Sequence, residues 1–122
     1  MSRITVRNQT RPQITPLQVS YCDTFFTRLR GLMFHPGLAE HEGILLVESS
    51  DTRINAAIHM LFMRFDIAVI WINSDHKVVD VKIARRWGLS YAPAKPACYI
   101  LETRPEYAPE YQVGDTLTFT HE

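Results

Sequence analysis

Apolar and polar positions along the chain change their spacing several times, and each change marks an element. Ile4 and Val6, then Ile14, Leu17 and Val19, alternate weakly and read as short strands interrupted by Pro12 and Pro16, since proline has no N–H to give a sheet. After Asp23, whose side chain could accept a backbone N–H as a helix cap, the spacing becomes helical. Phe25, Leu29, Leu32 and Met33 share one face, while Arg28 and Arg30 point elsewhere, and Pro36 and Gly37 close the element. One short α-helix near residues 24–33 follows, about two to three turns long. Ile44 to Val47 is a continuous apolar run suited to a buried strand, and Ser49, Ser50 and Asp51 suggest a turn after it. Residues 54–63 are ambiguous between a strand and a helical turn, since Ala56 and Ala57 favour helix and Ile58 favours strand. Ile67 to Ile72 is apolar throughout. Turn residues Asn73 to His76 lead into Val78, Val79, Val81 and Ile83, with Asp80 and Lys82 between them: a hairpin with one fully buried arm and one alternating arm. Pro93 and Pro96 mark a loop, Tyr99 to Leu101 another strand, and Gly114-Asp115 a turn into the alternating Leu117 and Phe119. Many short strands with turn signals between them predict a mainly β protein, an antiparallel β-sandwich or barrel carrying one short helix, in a single domain over residues 1–122.

Composition narrows the function more than the fold. The 122 residues carry 13 Lys plus Arg against 13 Asp plus Glu, a net charge of zero. A protein built to neutralise phosphates needs an excess of cations, so no nucleic-acid partner is expected, and the pairs Arg28/Arg30 and Arg85/Arg86 read as solvated charge. No apolar run is long enough for a membrane span and no secretory signal is visible in MSRITVRNQTRPQ, so the expected location is cytoplasmic. The two cysteines, Cys22 and Cys98, lack a C-x-x-C pattern. They read as buried free thiols rather than zinc ligands, with one disulfide open to an exported form. No P-loop, dinucleotide fingerprint or nucleophile elbow occurs, and no cofactor is expected.

Several strings resemble a known family. FFTRLRGLMF at 25–34 is similar to the opening signature of the domain of unknown function 192 family, an Arg ahead of Gly-Leu-Met at a helix end. IHMLFMRFDIAV at 58–69 resembles its central motif, of the form His-x-x-x-Met-Arg-Phe-Pro-Ile-Asp. The hairpin, YILE at 99–102 and Val113-Gly114-Asp115 follow in family order, so the resemblance runs roughly from Val19 to Phe119. It implies a mainly antiparallel β-sandwich or barrel with a short helix, and no activity. The chain departs from the motif with Asp66 in place of Pro and Ala68 in place of Asp, leaving Asp66 to supply a carboxylate two residues early.

The candidate ligand-binding residues are Arg30, His59, Met63, Arg64, Asp66 and Trp87. His59, Met60, Met63 and Met33 form a set that copper(I) would accept, but methionine is a versatile filler of irregular cores, and no metal site is expected. Arg64 and Asp66 are either an exposed ion pair or the lining of a polar pocket, Arg64 gripping an anion. Trp87 is either a stacking platform or core, the latter favoured. His35, His41 and Glu42 read as loop residues, and Tyr91, Tyr107 and Tyr111 as cover for the core or binding aromatics. The helix is expected to pack on Ile67 to Ile72, so that Arg30, His59, Met63 and Arg64 surround one depression. The leading expectation is a non-catalytic module for a small anionic or polyhydroxylated ligand. The alternatives are an acid–base enzyme, a hydrolase or isomerase using His59 with Asp66 or Asp80, and a protein-interaction module with an open strand edge.

Overall fold

The computed structural model describes residues 2–121, without the side chains of Phe25, Phe26 and Leu29. Seven strands form one mixed sheet: β1 (Arg3–Asn8), β2 (Leu17–Cys22), β3 (Glu42–Thr52), β4 (Ile67–Ile72), β5 (Val78–Ala84), β6 (Ala97–Thr103) and β7 (Leu117–His121). Their order across the sheet is β5-β4-β6-β3-β2-β1-β7. One short α-helix, α1 (Phe25–Arg30), and one 3-10 helix, η1 (Pro105–Glu110), complete the described elements. The molecule is therefore mainly β with a short helix where the periodicity predicts one.

Two expectations need correction. The sheet is not wholly antiparallel, because β2 and β3 pair in parallel, Gln18 opposite Glu42 through Cys22 opposite Leu46. Parallel neighbours need a crossover, and residues 23–41, α1 included, supply it. Nor do the strands form a sandwich or a barrel: all seven belong to one sheet, and it is not closed. Its edges, β5 and β7, meet at one end through the bridge Lys77–Thr116 and the backbone bonds Val78 N–H to Asp115 O (2.8 Å), Gly114 N–H to Val78 O (2.8 Å) and Leu117 N–H to His76 O (2.9 Å).

Local details also differ from the sequence reading. Thr24, not Asp23, caps α1, accepting from Thr27 N–H while the Thr27 hydroxyl accepts from Thr24 N–H. The helix stops at Gly31, whose φ of +47° is a conformation glycine adopts cheaply, five residues before the Pro-Gly pair expected to end it. Ser49 to Asp51 continue β3 rather than turning, and the register with β6 shifts between Val47 and Thr52.

Each face of the sheet carries its own core. Ile4, Val6, Leu17, Val19, Leu45, Ile70, Leu101 and Leu117 fill one, capped by Tyr107 and Tyr111 of the η1 region. Leu32, Ile44, Leu46, Met60, Met63, Ile67, Val69, Trp71 and Ile100 fill the other, under the crossover and residues 54–65. Strand β4 contributes to both, which explains why IAVIWI has no polar position: both sides are out of water. The 54–65 segment has no strand or helix of its own. It is held by Trp71 Nε1–H on Ala56 O (2.7 Å), by the Ile58–Tyr91 bridge and by Met60 N–H on Gly88 O (2.9 Å).

Candidate functional site

A cleft of about 380 Å³ opens between the end of α1, the start of the 54–65 segment and the sheet. Among the strands, α1 packs chiefly against β3 rather than against the β4 run. The helix end presents Arg28, Arg30 and Gly31, with Leu32 and Met33 beyond; β3 adds Leu46 and Glu48; β6 adds Ile100 and Glu102. Asn55, Ile58, His59, Met60 and Met63 close the far wall. The lining is thus largely apolar with a few polar groups, the usual make-up of a small-molecule site.

Glu102 is the unusual group. Side chains alternate along a strand, so Glu102 shares the face of Ile100, and its cross-strand neighbours are Ile44 on β3 and Val69 on β4. It is only 5% exposed, and among the described residues its carboxylate has no hydrogen-bond or ion-pair partner. Burial pushes the carboxyl up to about 7. Removing a carboxylate from water without compensation favours the protonated form. Two glycines set its surroundings. A Cβ on Gly43 would collide with the Glu102 carbonyl oxygen, so only glycine lets β3 approach β6 there. A Cβ on Gly31 would stand 3.9 Å from Glu102 Oε1, placing the helix end directly over the carboxyl.

The cations at the rim differ. Arg28 is occupied: Nη1–H donates to Asp23 O (2.7 Å) and Val47 O (3.1 Å), and Nε lies 3.6 Å from Glu48 Oε2. Arg30 is exposed and makes no ion pair among the described residues. It also lines a smaller neighbouring hollow with Ser20, Cys22, Thr27, Gly31, His35 and Ile44. His59 is exposed, its Nδ1 accepting from Leu61 N–H at 3.2 Å.

The cleft brings together Arg30, His59 and Met63 from the sequence candidates, and Met33 and Met60 with them. Arg64, Asp66 and Trp87 do not line it. Arg64 points to solvent. Asp66 is a structural clip, accepting from Arg86 N–H (2.8 Å) and pairing with Arg85 and Arg86. The Arg86 backbone bond holds its carboxyl below the usual range, against some desolvation, with the Arg86 and Arg85 side chains assisting. Trp87 is not core: it is 57% exposed and stands edge-on to Phe62, which in turn meets Phe34. All three aromatics have positive φ, 65°, 62° and 66°. Asp80 accepts from Ala94 N–H and lies 3.5 Å from Lys82, outside the cleft. His59 therefore shares its cleft with neither Asp66 nor Asp80.

Glu102 was visible in the sequence only as the last letter of YILE. The signal was a carboxylate two residues from Ile100 on a strand otherwise apolar, which alternation puts on a buried face. Elsewhere, among the described residues, no three His, Cys, Asp or Glu side chains gather as a metal would need. Cys22 and Cys98 are buried free thiols. Burial pushes the first to about 11 and the second to about 12, so neither is a nucleophile at neutral pH. No helix among the described residues is long and apolar enough to cross a membrane.

The fold and cleft define a small β protein with a helix-covered ligand-sized site on one sheet face. The chain belongs to the DUF192 family, described as an uncharacterized ACR, whose sequence profile matches residues 5–119. A UPF0127 protein of Thermococcus kodakarensis is 43% identical over 95 residues, 78% of this chain and 59% of that protein. A UPF0127 protein of Pyrococcus furiosus is 39% identical over 95 residues, 78% of each chain. The chain thus spans about three fifths of the Thermococcus relative. The fold is similar to that of a proposed transcription regulator of Sinorhizobium meliloti 1021, with TM-score 0.84, 18% identity and coverage of 97% of this chain and 92% of that one. A Novosphingobium aromaticivorans protein of unknown function gives TM-score 0.80 at 19% identity, covering 95% and 83%. Both likenesses concern the fold alone.

Proposed function

We propose that this protein binds a small polar ligand in the cleft between α1 and the 54–65 segment, an anionic group on Arg30 and a hydrogen-bonding group on Glu102. The observation that carries this reading is Glu102: a buried carboxyl without a partner among the described residues, on the wall of a cleft large enough for a ligand. Such a group is costly to keep for stability alone, because an apolar side chain would fill the same space without the desolvation penalty. A ligand that completes its hydrogen bonds accounts for its presence. The small, mostly apolar cavity suits a molecule of tens of atoms or fewer. The free thiols fit a reducing, cytoplasmic compartment.

An acid–base enzyme is the second reading, and one observation favours it. Glu102, rather than Asp66 or Asp80, shares the cleft with His59, and a carboxyl raised to about 7 is suited to exchanging protons near neutrality.

Thermal unfolding with inorganic phosphate, short carboxylic acids and sugars tests the binding reading. A ligand at a hundredfold excess over its dissociation constant raises stability by about 2.7 kcal/mol. The expected result is a shift for at least one anionic probe that Arg30→Ala removes. If no probe shifts the wild-type protein, the cleft is not a site for such ligands.

A further inference from the structure

Resting on the binding reading above, we infer that the ligand is a zwitterion with an apolar body, of the size and kind of an apolar α-amino acid, its ammonium on Glu102 and its carboxylate on Arg30. Charge balance in the cleft leads there. Arg28 is satisfied by two backbone carbonyls and Glu48. That leaves one anion, Glu102, and one cation, Arg30, without protein partners among the described residues. The two come from adjoining structure, since Gly31, next to Arg30, sits over the Glu102 carboxyl. A ligand carrying only an anion would satisfy Arg30 and leave Glu102 buried and unpaired. A sugar would hydrogen-bond to both but would meet an unfavourable wall. Leu46, Met60, Met63 and Ile100 offer that wall nothing but carbon and thioether sulfur. An ammonium beside a carboxylate, on an aliphatic or aromatic body, fits all three surfaces. The methionines then need no metal to explain them, because flexible thioethers shape themselves to apolar side chains of different form.

The reading has a protonation consequence. The charged and titratable groups that line the cleft with Glu102 are Arg28 and Arg30 from the helix end, Glu48 from β3 and His59 from the opposite wall, and the Cys22 thiol on β2 feels its charge. Burial keeps Cys22 protonated at neutral pH, whereas the Glu102 carboxyl, pushed up to about 7, changes charge there. An ammonium ligand binds the ionised Glu102, so binding tightens as pH rises from 6 to 8 and releases a proton.

Calorimetry on the wild-type protein with L-leucine, 4-methylpentanoate (the same body without the amine), 3-methylbutylamine (without the carboxylate) and inorganic phosphate separates the possibilities. Leucine is expected to bind at least about tenfold more tightly than either fragment, the difference one charge-assisted hydrogen bond supplies. Glu102→Gln should erase the advantage of leucine over 4-methylpentanoate, and Arg30→Ala its advantage over 3-methylbutylamine. If 4-methylpentanoate or phosphate binds as well as leucine, the zwitterion is wrong while the cleft remains a ligand site. If none binds and the broader panel of phosphate, carboxylic acids and sugars is also silent, both readings fall. The wild-type series does not depend on any variant folding.

Discussion

Asp115 and Glu102 are buried to nearly the same depth, 3% and 5% exposed, and are held in opposite ways. Asp115, in the turn before β7, accepts on one oxygen from Asn8 Nδ2–H (2.9 Å), Gln112 N–H (3.0 Å) and Arg11 Nε–H (3.1 Å). Desolvation pushes its carboxyl up, but the bonds from Asn8, Gln112 and Arg11, with the charge of Arg11, outweigh it and leave the group below its ordinary value. Glu102 is desolvated with no donor among the described residues to oppose it, and rises to about 7. Burial alone therefore does not set the direction in which a carboxyl shifts; the difference lies in whether the surrounding chain supplies donors. At Asp115 it supplies three, two from the stretch Asn8 to Arg11 and one from Gln112 in its own turn. Around Glu102 it supplies methyl groups, methylenes and open space.

The comparison can be broken most severely at Asp115. Asp115→Ala leaves Asn8, Arg11 and the Gln112 N–H without their acceptor, and should cost about 3 kcal/mol in urea unfolding, as removal of one partner from a buried charged network does. A smaller cost would mean that these donors find water instead. The second test uses pH, because the two carboxylates act with opposite sign. Glu102 has a folded value above its ordinary 4.5, so the folded state holds its proton more tightly. Its contribution is greatest below pH 4.5, falls as pH rises to about 7, and is constant above. Asp115 behaves in the reverse sense, its contribution present above the ordinary value of 3.8 and lost as pH falls through its lower folded value. The stability of Glu102→Gln relative to wild type should therefore climb by about 2–3 kcal/mol between pH 4.5 and 7 and then level off. A flat difference would show that Glu102 is solvated or partnered in solution.

A third, smaller effect concerns the apolar alternative. Glu102→Leu, continuing the Ile44, Val69 and Ile100 surface, should raise stability at pH 8 by about 1–2 kcal/mol while abolishing ligand binding, the exchange of stability for function that strained sites show. Destabilisation instead would mean that the carboxyl is integral to the fold. The smallest change belongs to Arg30→Ala. With the side chain exposed and no ion pair among the described residues to lose, unfolding should move by no more than about 0.5 kcal/mol. A larger loss would make Arg30 a structural residue and remove it from the site.

Much of the architecture follows from periodicity because it depends on local pattern. The double-sided burial of β4, its hairpin with β5 and the helix after Cys22 are all written in spacings of two and of three to four. The parallel pairing of β2 with β3 is not, since both strands alternate alike whichever way their neighbour runs, and only the length of the crossover hints at it. The site was half legible. Arg30, His59 and Met63 lie in two strings whose meeting requires the 54–65 segment to fold over the sheet, and that path is set by distant anchors, Ala56 on Trp71 and Met60 on Gly88. Arg64, one residue beyond Met63, falls outside because the segment lacks regular structure and its side chains do not repeat. Trp87 lies outside the core for a related reason: its left-handed backbone, with those of Phe62 and Phe34, turns large rings outward against the usual preference of aromatics for the interior.

The seam between β5 and β7 has a bearing on solubility. An open sheet of seven strands ends in two rows of unpaired amides and carbonyls, each a template for another copy of the chain. Here the bonds among His76, Val78, Gly114, Asp115 and Leu117 occupy part of both rows, and the Asp115 side chain fastens the same turn to β1 and to Arg11. What remains exposed on β5 carries Asp80 and Lys82, charges that discourage stacking of one molecule on the next. Unfastening that turn would leave the cores on both faces intact but uncover adhesive backbone, so the first sign of damage there would be assembly that grows with protein concentration rather than loss of secondary structure.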